Sequence, residues 1–190
     1  EMFSLQNQLF NETNEDKKKE IKKDIDDIRD ELITYTLEQN GNHEGLKKYN
    51  QLKDEKTKPY FIWELEFARV FQEKGGFDIV IGNPPYIGFH NVPNKKYFKN
   101  KYVSASGKYD FYVLFIEEGI NLLKQKGYIS YICPSYFYKR NYGRKIRELI
   151  LESCKIKFIA DFKDSQIFDS ATTYTCIFGF EKSNDNKAKI

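Results

Sequence analysis

Two adjacent prolines, Pro84 and Pro85, follow the apolar run "FDIVIG" (77–82) after a single Asn83. Proline fixes φ and has no N–H to give to a ladder, so neither a strand nor a helix continues through the pair. The run must end as a short strand at a stiff corner. Its uninterrupted Ile79, Val80 and Ile81 predict a strand buried on both faces of a parallel sheet. Asn83 and Tyr86 flank the corner, so an amide and a phenol are held at the carboxyl end of that strand.

From residue 59 onward, apolar runs and helical patterns alternate at the spacing of an α/β unit. After the strand at 77–82, residues 110–125 read as a helix with Asp110 as N-cap and Gly127 just past its end. "YISYICP" (128–134) reads as a second strand, 139–153 as a helix, and 156–162 and 173–180 as two more strands. About ten residues separate the last two, too few for a crossover helix, so they are expected to pair antiparallel. The predicted class is α/β, half of a doubly wound sheet with an antiparallel last strand. Ligands of such sheets bind beyond the carboxyl ends of the strands, where Asn83 to Tyr86 stand.

The segment before residue 59 has another texture. Residues 12–40 carry Ile21, Ile25, Ile28, Leu32 and Ile33 at spacings of three and four, a narrow stripe on a charged helix. A second helix is expected over 45–56, with His43 in the turn between them. The expected organisation is a charged helical hairpin over 1–58, an α/β half-domain over 59–182 and a polar tail over 183–190.

Residues 1–60 hold 11 basic and 14 acidic side chains, and residues 61–190 hold 20 basic and 14 acidic. The aromatic-rich part is therefore the one that favours a polyanion. No apolar run approaches the roughly 20 residues of a membrane span, and the first residues are polar. Cys133, Cys154 and Cys176 form no C-x-x-C pair, which predicts three reduced, buried thiols rather than a zinc site or disulfide framework. A cytoplasmic setting and no metal are expected. The first residue is Glu1, which reads as a piece cut from a longer protein.

The chemistry of Asn-Pro-Pro-Tyr follows from its donors and acceptors. An Asn side-chain oxygen and a carbonyl beside it offer two acceptors, which suit an exocyclic –NH2 with two hydrogens to give. Accepting both draws the nitrogen out of conjugation and leaves its lone pair available for attack. The Tyr ring can stack on the same planar group. Adenine, cytosine or a carboxamide each meets that description. The alternative is a turn that merely ends a strand.

"GGFDIVIGNPPY" resembles catalytic motif IV of the adenine-N6 DNA methyltransferases that use S-adenosylmethionine, and more narrowly the type II (IIG-like) restriction–modification enzymes. "GKYDFYVLFIEEGINLLKQKGYISYICPSYF" resembles that family's next helix and strand, and "IADFKDSQIFDSATTYTCIFGFEK" its late strand pair, so the likeness covers 61–182. It implies a class I methyltransferase sheet of Rossmann-like form. It also implies that Asn83 and the Pro84 carbonyl hold the N6 amine of an adenine flipped out of double-stranded DNA, while Tyr86 and Phe168 stack on the base. Pro85 and Phe115 match positions lining the cofactor's adenine.

The same family binds the rest of its cofactor at a glycine-rich turn after an earlier strand, and no such turn precedes Asn83. Partners expected in the parent chain are therefore the remaining N-terminal half of the methyltransferase domain and a target-recognition domain. Between Ile87 and Tyr109 there is no acidic residue, and Lys95, Lys96, Lys99, Lys101 and Lys108 alternate with aromatic residues. That segment reads as a loop able to track DNA phosphates, or as a solvated mobile loop. The Arg140, Arg144, Lys145 and Arg147 side of the next helix reads as a solvated face. Enzymes methylating a protein glutamine or an RNA guanine also place N-P-P-[YF] after a strand, and a non-catalytic DNA-binding or assembly module is an alternative of another class.

Overall fold

The computed structural model describes residues 1–53, 61–163, 165 and 174–183. The chain divides into two compact units, Glu1–Lys74 and Gly75–Ile190. The boundary expected at 58/59 falls among residues outside the described set, and residues 61–74 belong to the first unit.

The first unit is helical among its described residues: α1 (Met2–Asn11), α2 (Glu15–Gln39), α3 (His43–Leu52), α4 (Trp63–Glu66) and α5 (Ala68–Lys74). Asn14 starts α2 by accepting from the backbone N–H of Asp16 and Lys17 at 3.0 and 3.1 Å. The predicted stripe of α2 packs through Ile21, Ile25 and Ile28 against Met2, Leu5, Leu9 and Ala68. Leu32, assigned to the same stripe, is largely exposed. His43, expected in the turn, is instead the first residue of α3, and it is exposed.

The second unit holds a four-stranded sheet. Its strands are β1 (Phe77–Gly82), β2 (Leu123–Pro134), β3 (Cys154–Asp161) and β4 (Thr175–Lys182), in the order β1-β2-β4-β3. β1 and β2 are parallel, and β4 pairs antiparallel with both β2 and β3. This is the expected half of a doubly wound sheet with an antiparallel last strand. The chain's last described strand is inserted between the second and third, so two of the three pairings are antiparallel.

Gly76 opens β1 at φ +143, and a Cβ there would lie 2.6 Å from the Leu122 carbonyl. Only glycine lets the backbone pass so close to residues 122–124. Burial on both faces of β1 is not observed: Ile79 and Ile81 are 65% and 76% exposed. Ile79 and Ile81 point to one face of the sheet while Val80 packs against the core on the other, and among the described residues nothing covers the face carrying Ile79 and Ile81.

Two helix limits also differ from expectation. α7 (Tyr112–Leu122) ends before Gly127, which lies inside the twelve-residue β2. Asp110 does not cap α7; the cap residue is Phe111, with no side-chain bond. The helix predicted over 139–153 is divided into α8 (Tyr136–Lys139), a 3-10 turn at Asn141–Gly143 and α9 (Arg144–Ser153). Tyr136 to Lys139 form a separate turn because Arg140 is extended.

The core of this unit lies between the sheet and α7, α8 and α9. Phe178 is completely buried, its ring centroid 5.7 Å from that of Phe137, 5.8 Å from Tyr131 and 4.2 Å from Phe180. Tyr112 meets Phe137 edge-on, carrying the cluster from β4 to α7. Cys133 and Cys176 face each other across β2 and β4; all three cysteines are free and buried. Since Phe178 touches every layer, Phe178→Ala is expected to lower unfolding stability by about 3–5 kcal/mol. A urea titration monitored by far-UV circular dichroism checks this, and an unchanged midpoint would contradict the central place given to Phe178.

Candidate active site

The end of β1 delivers Asn83 to the surface, with Pro84 buried directly behind it and Pro85 exposed. Gly82 makes the approach possible, because a Cβ there would meet the Tyr131 ring at 3.2 Å. Tyr86 turns back toward the sheet. Its ring packs against the main core, and its hydroxyl points at the Ile132 carbonyl of β2 at 3.4 Å. Burial pushes the phenol up to about 12, with nearby Cys133 acting in the same sense and Thr175 against it. Tyr86 is thus a neutral, half-buried ring whose outer part remains accessible at the strand end.

The chain beyond the corner is held as firmly. Ile87 donates its N–H to Pro85 O at 3.0 Å, and the Ile87 carbonyl accepts from Phe111 N–H at 2.8 Å. Residues 88–110 therefore leave the motif and return beside it. Within them, α6 (Lys95–Lys101) replaces the loop expected there. Its aromatic residues are mostly structural: Phe89, Phe98, Tyr102 and Phe111 pack around buried Val92, Ala105, Tyr109 and Leu114. Tyr97 alone of that set is strongly exposed. The segment is a small folded cap with its own apolar centre, and neither a mobile loop nor a row of stacking rings.

The five lysines of this segment have different surroundings. Lys95 Nζ donates to the His90 carbonyl at 3.0 Å and lies over the Phe89 ring. Lys101 Nζ sits 3.9 Å from Glu118 and over the Tyr102 ring. Lys96, Lys99 and Lys108 are exposed. Beneath them the buried Glu117 carboxylate accepts from the N–H groups of Val103 and Ser104 at 3.0 and 2.8 Å, fixing the exit of α6.

Phe115 differs from the rest of α7. Its neighbours Tyr112, Val113, Leu114, Ile116 and Glu117 are buried, whereas Phe115 is 37% exposed and meets Phe111 edge-on at 5.3 Å. It is not a core residue, and it leaves a phenyl face open. Phe168 lies outside the described residues.

Sequence reasoning missed four polar contacts that shape this rim. Tyr142 donates to Asp110 at 2.7 Å and shares a 3.1 Å hydroxyl contact with Tyr112. Lys139 pairs with Asp161 at 2.7 Å, at the end of β3. The Ile132 carbonyl anchors Tyr86. Each joins residues more than twenty positions apart on elements whose adjacency only the fold creates, and no local pattern marks them.

A family model described as Eco57I restriction-modification methylase matches residues 2–168. The type II restriction enzyme and methyltransferase RM.Eco57I of Escherichia coli is 39% identical over 113 residues, covering 57% of this chain and 11% of that protein. The type II methyltransferase M.BstVI of Geobacillus stearothermophilus is 28% identical over 134 residues, covering 69% of this chain and 23% of that protein. Among solved structures, a Listeria monocytogenes protein assigned to the class I S-adenosylmethionine-dependent methyltransferases superposes with a TM-score of 0.48 at 22% identity. That superposition covers 58% of this chain and 33% of the other. The chain thus spans less than a quarter of the length of these two curated relatives. No described helix is long and apolar enough to cross a membrane.

The Lys139–Asp161 pair generates a pH expectation. The Lys139 ammonium, with the Lys163 N–H assisting, holds the Asp161 carboxyl at about 2, below its ordinary 3.8. A depressed folded value means the contact stabilises the fold above the ordinary value and is lost as pH falls toward 2. The effect is small because the pair is largely solvated. A carboxyl NMR titration is expected to give Asp161 a midpoint near 2, and Asp161→Asn is expected to lessen the loss of stability between about pH 4 and 2. A midpoint at the ordinary value would remove this ion pair.

Proposed function

Because the chain belongs to the Eco57I restriction-modification methylase family, we propose that its second unit is the target-base half of an S-adenosylmethionine-dependent DNA methyltransferase acting on the N6 amine of adenine. The observation that carries the reading is the corner at the end of β1: Asn83 exposed, Pro84 buried behind it, and the Tyr86 ring braced against β2. The Asn83 side-chain oxygen and the Pro84 carbonyl accept the two hydrogens of the amine. Held this way, the nitrogen keeps its lone pair out of the ring system and directed outward; the two amide oxygens only accept hydrogen bonds, and the proton shed once the N–CH3 bond has formed passes to solvent. Because the prolines fix the backbone, little ordering remains to be done at the moment of reaction. Tyr86 stacks on the flipped base, whose extrusion costs a few kcal/mol of unstacking.

The cofactor reading rests on two residues of this chain. Pro85 is exposed beside the motif and the Phe115 ring is open on a helix whose other apolar residues are buried. Flat apolar surfaces of this kind suit an adenine ring. They fit one wall of an S-adenosylmethionine site. When bound, that group supplies an electrophilic methyl on sulfur. The rest of its pocket and the choice of DNA sequence belong to segments of the whole protein beyond the α/β half described here.

Label transfer from S-adenosylmethionine by the intact protein, offered duplex DNA, RNA and protein in parallel, tests the reading. N6-methyladenine in DNA is expected, with kcat reduced roughly 10²–10³-fold in Asn83→Ala by analogy with losing one preorganised polar contact to a reacting centre. The unfolding midpoint should hardly change, since Asn83 is exposed. Tyr86→Phe should retain most activity, while Tyr86→Ala should lose stacking of about 1–3 kcal/mol. Label on a protein glutamine or an RNA guanine would assign the corner to another amine, and no label in any acceptor would leave a binding module.

A further inference from the structure

An open cleft of about 500 Å³, whose lining does not include Asn83, lies between the return of the cap and the start of α9. It is lined by Ser106, Gly107 and Lys108 from one segment and by Asn141, Tyr142, Arg144 and Lys145 from another. Three cations from two separate elements converge there, and no carboxylate is among the lining residues. We propose that this cleft binds a backbone phosphate of duplex DNA. The inference rests on the proposed DNA substrate and extends it to a contact surface outside the target-base corner.

Three features favour a bound phosphate over a merely solvated face. The two segments are tied together: Tyr142 donates to Asp110, two residues beyond Lys108. Tyr142 also meets Tyr112, so the cations are held across a braced gap rather than on free loops. Lys108 has no ion-pair partner among the described residues. Arg144 and Lys145 share one carboxylate, Glu148, each at 2.8 Å. With Glu148 and the Asp110 carboxylate on Tyr142 both counted, the three cations keep a net positive charge of one, and Arg144 engages Glu148 through Nε only, leaving its terminal nitrogens for another acceptor. Ser106 and Asn141 add neutral donors of the kind that position phosphates.

The cleft is also coupled to the motif. The segment carrying Lys108 leads into Phe111, whose N–H bonds the carbonyl of Ile87, the residue after Tyr86. A phosphate gripped here would fix the DNA backbone relative to the corner that receives the base. This assigns Arg144 and Lys145 a role, in place of the solvated face expected from sequence, and separates Lys108 from Lys95 and Lys101, whose ammonium groups have partners within the cap.

Duplex binding by the intact protein, followed by fluorescence anisotropy at several salt concentrations, tests this. Lys108→Ala and the double variant Arg144→Ala/Lys145→Ala are each expected to weaken binding roughly three- to tenfold regardless of sequence. Each should also lower the slope of log K against log salt by about 1. Glu148→Gln, which frees the two cations, should tighten binding and steepen the slope, a gain that misfolding does not produce. Lys23→Ala, which removes an exposed cation from α2, should leave the slope unchanged. Unchanged slopes in the cleft variants, or an equal loss in Lys23→Ala, would overturn the proposal. So would competition by inorganic phosphate without any change in the duplex slope, which would make the cleft a free-anion site. Adenine methylation persisting alongside unchanged slopes would remove the cleft alone; lowered slopes without methylation would remove the proposed reaction and keep the cleft.

Discussion

β2 is the strand on which both the fold and the site depend. It pairs with β1 on one side and β4 on the other, so it alone joins the parallel and antiparallel parts of the sheet. Its buried residues Ile129, Tyr131 and Cys133 form part of the main core. Its Ile132 carbonyl meets Tyr86, and its Tyr131 ring lies so close to Gly82 that a Cβ there would come within 3.2 Å of it. The corner at Asn83 is rigid because prolines stiffen it from within and β2 braces it from beside. A change that shifted β2 would move the amide, the phenol and the sheet order together.

The antiparallel strand at the centre has a physical consequence for the rim. β4 runs against both neighbours, so β2 and β3 are parallel to each other but one strand apart. The carboxyl end of β2 therefore stands beside the start of β4, where Ser135 N–H bonds Tyr174 O. Asp161, at the end of β3, reaches back to Lys139 just after β2. Residues from the ends of β2 and β3 and the start of β4 thus stand on the edge of the sheet where Asn83 emerges.

Much of this was legible in the sequence, for identifiable reasons. The limits of β1 follow from a glycine pair before it and a proline pair after it, both of which act through the backbone alone. The antiparallel pairing of β3 with β4 follows from a connection too short for a helix. Burial was less legible because it depends on neighbours: the same Ile79 and Ile81 that read as doubly buried are exposed on a face that no described residue covers. Aromatic residues misled for a related reason. Beside lysines they resemble a stacking surface, yet Tyr109 and Phe98 turn inward to give the cap its own centre. Asp110 satisfied every local rule for a helix cap and bonds Tyr142 instead, 32 residues away.

Charge shows most clearly why position outweighs composition. The second part of the chain has a modest basic excess, and by count its lysines are interchangeable. In the fold they are not. Lys95 is occupied by a carbonyl and a ring, Lys101 by Glu118 and a ring, and Lys139 by Asp161. Each such contact offsets the field that the ammonium would otherwise present to a polyanion. What remains attractive is set by the cations left over, and Lys108 faces Arg144 and Lys145 across a single braced gap. In this part of the unit the attractive field is therefore set by the cleft and by exposed Lys96 and Lys99, created by the return of the cap onto α9.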